Sequence, residues 1–289
     1  MKIRRFAGLA LACAMTCVGP VAVAGEGGAT TAGLERPAGR VADLVHAARL
    51  SDLIGVIATE GARHGIGLER SLFPGQGGAA WAATVADIQA PDRLVGLVAH
   101  AIDAELRGPE SAAALAFLRT DLGRKITGAE IASREAMLDR DVEQAAQVAA
   151  GRIDRDRDDH AALVDRIIDR LDLVSSNVSG GLNANFAFYR GLGDGGAMRE
   201  RLTEGEILAM VWDQEPEVRD ATSRWLTAYL TMAYSELTQD ELRRYLAYLG
   251  TDAGRRYNAA LFAGFGAVFE VTSYELGRAA ARFMASSEI

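Results

Sequence analysis

Two stretches of the chain are divergent copies of each other, so the fold is expected to accommodate one short structure twice. Residues 105–125 read ELRGPESAAALAFLRTDLGRK and residues 236–256 read ELTQDELRRYLAYLGTDAGRR, a displacement of 131 residues. Ten of the 21 aligned positions are identical: Glu105/Glu236, Leu106/Leu237, Glu110/Glu241, Leu115/Leu246, Ala116/Ala247, Leu118/Leu249, Thr120/Thr251, Asp121/Asp252, Gly123/Gly254 and Arg124/Arg255. Composition alone gives about one or two such matches. The same displacement, ungapped, pairs Trp81 with Trp212 and Arg93 with Arg224. Further upstream the register needs an insertion of about ten residues in the second copy, in the Gly-rich region around Gly180 to Gly196.

Each copy predicts a helix ending near Leu118 or Leu249, a sharp joint, and a new helix. Thr120 and Thr251 can cap that new helix, Asp121 and Asp252 suit its positive end, and Gly123 or Gly254 lets two backbones approach at the corner. A packing role explains this Thr-Asp-x-Gly-Arg element; alternatively, Arg124 and Arg255, near helix starts, are candidates for binding an anion.

The rest of the chain repeats the helical period. Val41, Leu44, Val45 and Ala48 fall on one face, as do Leu163, Ile167, Leu171 and Val174, and there is no convincing pair of strands. Thr203 with Glu206 and Thr238 with Glu241 have capping-box spacing, and Pro109 and Pro216 suit first-turn positions. The expected fold class is therefore all-α: two related helical units, over residues 40–157 and 158–289, in one bundle-like protein. The units would pack about a pseudo-twofold relation or be joined by a long helix spanning residues 121–170.

The amino terminus reads as a secretory signal over residues 1–24. Lys2, Arg4 and Arg5 form a basic region, Phe6 to Val18 an apolar stretch too short to span a bilayer, and Ala22-Val23-Ala24 a small-residue cleavage site. Residues 25–39, Gly-rich and without periodicity, read as a flexible leader. The expected location is periplasmic or secreted by the general secretory route, with no transmembrane segment in the mature chain. A lipid anchor on Cys13 is the lesser alternative, because Ala10-Leu11-Ala12 is a poor lipobox. Cys13 and Cys17 are the only cysteines, so cleavage after Ala24 removes every thiol, and with it disulfides, thiolate metal sites and cysteine nucleophiles. The formal charge of −8 becomes more negative once Lys2, Arg4 and Arg5 leave, which disfavours nucleic acid and anionic membranes as partners.

Around the second copy the sequence resembles the exported bacterial family known as "domain of unknown function 2059". That family carries Leu-Thr-x-x-Glu-Leu, an aromatic, and then Ser-Pro-x-Gly before a basic or polar pair. Leu237-Thr238-Gln239-Asp240-Glu241-Leu242, Tyr248 and Thr251-Asp252-Ala253-Gly254 are similar to it, and Phe117 to Lys125 is a more distant version. Asp121 and Asp252 stand where the family has Pro. The resemblance implies an all-α exported domain in two divergent copies, and it brings no catalytic residues with it.

Four features bear on candidate chemistry. Asp154, Asp156, Asp158 and Asp165 occupy positions 1, 3, 5 and 12 of an EF-hand-like loop, so calcium or a metal-assisted reaction, with His160 nearby, is one reading. Asp159 stands where that loop wants Gly, and Arg152, Arg155 and Arg157 can pair with acids three or four residues away, which favours a charged joint. The four histidines, His46, His64, His100 and His160, lack metal-site spacing. Gly-rich stretches at Gly75 to Gly78 and Gly191 to Gly196 read as loops, with no phosphate-binding context. Finally, Phe262, Phe265 and Phe269 form an aromatic stripe with Tyr248 upstream: core if buried, and a groove for a hydrophobic ligand or partner helix if exposed. No cofactor is predicted beyond calcium as a minority reading. The expected function is an exported, non-catalytic helical module of the bacterial envelope that binds a protein partner or a hydrophobic small ligand, as a monomer or homodimer.

Overall fold

The computed structural model describes residues 39–155, 157–197 and 202–285. The signal, the leader up to residue 38, both cysteines and Asp156 lie outside the described residues. Among the described residues there is no strand, and the fold is all-α. The first helices are α1 (Arg40–Ala47), α2 (Leu50–Leu72), α3 (Gly78–Ile88), α4 (Pro91–Glu105), α5 (Gly108–Leu118) and α6 (Asp121–Ala136). After α7 (Arg140–Gly151) come α8 (Asp159–Arg170), α9 (Leu173–Asp194), α10 (Glu204–Trp212), α11 (Glu215–Ala233), α12 (Gln239–Leu249) and α13 (Asp252–Ala285).

The stretch 121–170 is not the single long helix that one expectation allowed; it is α6, α7 and α8. The carboxylates of Asp139 and Asp158 accept backbone amides of the turns that follow, so each starts a new helix. Both capping boxes form, at Thr203/Glu206 and Thr238/Glu241, and Pro109 and Pro216 sit in first turns.

Helices α1 to α6 and α8 to α13 form two six-helix runs on either side of α7. Arg49 (φ 50°) separates α1 from α2 and Asp172 (φ 43°) separates α8 from α9. Neither is glycine, so each joint carries left-handed backbone at a cost of about 1–2 kcal/mol. The residues that follow, Leu50 and Leu173, are buried and anchor the turned helix. Helices α5 and α12 begin and end 131 residues apart, as do the starts of α6 and α13.

The corners between them match bond for bond. Thr120 Oγ1 donates to the Phe117 carbonyl at 2.7 Å and accepts from the Gly123 amide at 3.0 Å. Thr251 Oγ1 donates to the Tyr248 carbonyl at 2.6 Å and accepts from the Gly254 amide at 3.1 Å. A Cβ on Gly123 or Gly254 would overlap the carbonyl oxygen of Phe117 or Tyr248, so only glycine permits these corners. Thr120→Ala and Thr251→Ala should each cost about 1 kcal/mol in urea denaturation, and by similar amounts. A large loss at one and none at the other would show that the corners are not equivalent in energy.

Upstream of the corners the ungapped register does not hold. Trp81 is the fourth residue of α3 and buried, whereas Trp212 closes α10 and is exposed. Arg93 pairs with Glu275, whereas Arg224 pairs with Asp220 one turn away. Helix and loop lengths differ between the two stretches there, so equal displacement no longer means equal position.

Among the described residues three apolar cores hold the helices together, and each draws residues from both sides of residue 158. The first is built on α1, α2, α4 and α5 and closed by Tyr257, Leu261, Phe265 and Phe269 of α13. The second is built on α8, α11 and α12 and closed by Leu122 and Ile126 of α6. The last helix of each six-helix run thus completes the core of the other run. The third core joins α2, α3, α9, α10 and the far end of α13, around Trp81, Phe188 and Leu276.

One expected loop is helix. Residues 191–194 belong to α9, and a Cβ on Gly191 would overlap the Tyr274 carbonyl of α13, as one on Gly277 would overlap that of Phe188. These glycines are helix-packing surface, where the contact offsets the intrinsic helix cost of glycine, about 1 kcal/mol each.

Candidate functional site

Between α6 and α13 lies a cavity of about 60 Å³. It sits where the two corners meet, and much of its wall is paired by the 131-residue displacement. Phe117 and Tyr248 both line it and stack on each other with centroids 3.6 Å apart. Leu118 and Leu249, Ile126 and Tyr257, and Thr127 and Asn258 are further pairs in the wall. Ion pairs beside it are exchanged in the same way: Lys125 reaches Glu241 at 2.7 Å, and Arg256 reaches Glu110 at 3.7 Å. Residues 125 and 256 are one displacement apart, as are 110 and 241. These contacts are made twice with exchanged partners.

The last two pairs break that symmetry chemically. Glu130 faces the cavity where its counterpart is Leu261, and Arg134 where its counterpart is Phe265. Arg134 is buried, pairs with Glu60 of α2 at 2.5 Å, and lies over the Trp225 ring. Glu130 is part-buried and lines the cavity. Tyr234 donates its hydroxyl to the Glu130 carboxylate at 2.6 Å, Tyr245 bonds to the same side chain, and Tyr229 donates to the Glu130 main-chain carbonyl at 3.0 Å. Burial raises the Glu130 carboxyl to about 7 against the lowering effect of these tyrosines. Burial likewise raises the Tyr234 hydroxyl, with the neighbouring Glu130 charge adding to it.

A second feature lies on the surface. Ile207 and Val211 turn α10 inward, while Leu208 and Trp212, one turn apart, remain 55% and 63% exposed. Glu204 continues the same face one turn earlier, and Asp213 and Glu217 follow at the α10–α11 joint, all exposed. None of these three acids forms an ion pair among the described residues.

Comparison with protein-family models, with curated proteins and with solved structures finds no match for this chain.

The residues singled out from the sequence fall in several places. Tyr248 and Phe265 line the cavity, Phe269 lies in the first core, and Phe262 is part-buried against both the first and second cores. The aromatic stripe is thus mainly core and cavity wall. Arg124 and Arg255 lie at the two corners, each bonded to the Asp three residues before it and to the carbonyl of Arg119 or Gly250. Asp154 pairs with Arg157 at 3.5 Å, and Asp165 takes a bidentate Arg155 at 2.6–2.9 Å. Asp158 caps α8; its bonds from the amides of Ala161 and His160 hold its carboxyl below the usual range. No group of three or more potential metal ligands converges among the described residues, and Asp156 lies outside them. His160 Nε2 faces the carbonyls of Tyr234 and Leu237 at 3.1 and 3.0 Å, so that nitrogen carries the proton and ties α8 to the α11–α12 joint. Among the described residues, no helix is long and apolar enough to cross a membrane.

Glu130, Arg134 and Tyr234 were not singled out from the sequence. A signal for the first two was present just beyond the matched stretch, where the displacement sets a carboxylate against Leu261 and a guanidinium against Phe265.

Proposed function

We propose that this chain is an exported, non-catalytic helical binding module of the bacterial envelope, built from two copies of one unit, that docks a basic amphipathic segment of a protein partner. The observation that carries this reading is the outer face of α10, with Leu208 and Trp212 in a row among Glu204, Asp213 and Glu217. Exposed large apolar side chains in a contiguous row mark interaction surfaces, and an amphipathic helix reads such a row through residues at one-turn spacing. The acidic rim selects a basic partner and disfavours a second copy of this acidic chain, which would oppose like charges. The basic start and small-residue site of residues 1–24, together with the resemblance to "domain of unknown function 2059", support export.

The test is titration with a fluorophore-labelled helical peptide of alternating Leu and Lys faces, followed by anisotropy. Binding in the micromolar range is expected, weakened at least tenfold by Leu208→Ser or Trp212→Ser and by exchanging Lys for Glu in the peptide. Equal affinity for the acidic peptide, or unchanged binding in both variants, would overturn the assignment.

A further inference from the structure

The cavity between α6 and α13 contains an imbalance of charge. Three charged side chains belong to it or stand directly behind it: Arg134, Glu60 and Glu130. Arg134 is paired with Glu60 at 2.5 Å, and the partners of Glu130 among the described residues are the hydroxyls of Tyr234 and Tyr245 rather than a cation. The other elements packed around it contribute no charge at this point: α11 brings Tyr229, α12 brings Tyr245 and Tyr248, and α13 brings Tyr257, Asn258 and Leu261. A carboxylate held in protein without a counter-charge is costly unless it takes up a proton or a cation supplies that charge, and rings around a cavity attract cations.

We propose that this cavity is a binding site for a small organic cation, an ammonium group bearing one or two carbons, which pairs with Glu130 among the tyrosine rings. Size sets the upper limit. Scaled against an apolar cavity of about 150 Å³ that holds benzene, the cavity of about 60 Å³ takes two or three non-hydrogen atoms, fewer than a quaternary ammonium has. So small a ligand binds at best at about millimolar strength. The tyrosine hydroxyls that reach Glu130 orient its carboxylate, and the apolar wall from α13 receives the carbon end. The two-fold arrangement thus presents one polar side and one apolar side to a single guest.

The experiment uses the purified full chain in phosphate buffer at pH 8, heated with methylammonium, ethylammonium or tetramethylammonium chloride, or with ethanol, against potassium chloride at equal ionic strength. Methylammonium and ethylammonium should raise the unfolding temperature by a few degrees beyond potassium, with half-effect at millimolar concentration. Ethanol and tetramethylammonium should not, and Glu130→Gln should abolish the shift. Should that variant not fold, line broadening of ¹³C-methylammonium on the unaltered chain decides, since binding must weaken as pH falls below about 7 and the carboxylate is protonated. A response equal to that of potassium, one shared by ethanol, one retained in Glu130→Gln, or binding independent of pH would each overturn the proposal.

Discussion

Glu130→Gln should remove most of the pH dependence of folding stability between pH 5 and pH 8. In the folded chain the Glu130 carboxyl titrates at about 7, against 4.5 for an ordinary glutamate. The folded state therefore binds the proton more tightly than the unfolded state. Its favourable contribution is complete below about pH 4.5 and is lost as pH rises through about 7. A tenfold difference in proton affinity between the two states is worth about 1.4 kcal/mol, so the unaltered chain should lose about 2–3 kcal/mol between pH 5 and pH 8 from this group alone. In Gln the amide cannot ionise, and Tyr234 still has an oxygen to bond. Urea denaturation at several pH values reads the difference directly. A slope that survives the substitution would mean that Glu130 is not the titrating group, and burial of its charge would have to be far milder than the packing around it indicates.

The second large effect is expected where α9 crosses α13. Gly191→Ala or Gly277→Ala sets a methyl group against the carbonyl oxygen of Tyr274 or Phe188, backbone that belongs to the opposite helix and cannot swing aside. Each should destabilise the chain by about 3 kcal/mol or more, because two closely packed helices must separate to admit the added carbon. The same α9 provides its own control. Gly180 and Gly193 have open space where a Cβ would go, so alanine at either should stabilise by about 1 kcal/mol through helix propensity. Opposite signs within one helix distinguish a steric crossing from a general intolerance of substitution in α9. Equal, small effects at all four positions would mean that the crossing relaxes freely.

How much of this was legible in the sequence depended on whether a signal was local. Caps are local: Thr203/Glu206, Thr238/Glu241 and the Thr-Asp-x-Gly-Arg corners name the hydroxyl, the amide and the glycine within a few residues, and the structure forms each as read. The joints at Arg49 and Asp172 carry no such mark. Both are left-handed without glycine, so nothing in the residue type separates α1 from α2 or α8 from α9. The glycines from Gly191 to Gly196 misled for the complementary reason: glycine breaks a helix by propensity, and only the presence of α13 against Gly191 makes it an asset. Ungapped matching likewise joined Trp81 to Trp212, because residue identity survived there while helix position did not. The cavity was half legible. Tyr248 and Phe265 stood out as aromatic, but Glu130, Arg134 and Tyr234 act through contacts made some 70 to 100 residues away, which no local pattern records.

The exchange of final helices has a consequence for the order in which the chain can become a protein. Helices α1 to α5 are complete by Leu118, yet the aromatic wall that seals their core arrives with Tyr257 to Phe269. A nascent chain must therefore carry an open, unsealed first half through about half of its own synthesis, since loop closure over that distance precedes any reward from the contacts it brings. The first core is thus sealed late, by one helix near the carboxyl end, and a chain truncated before Tyr257 would leave its first half ajar.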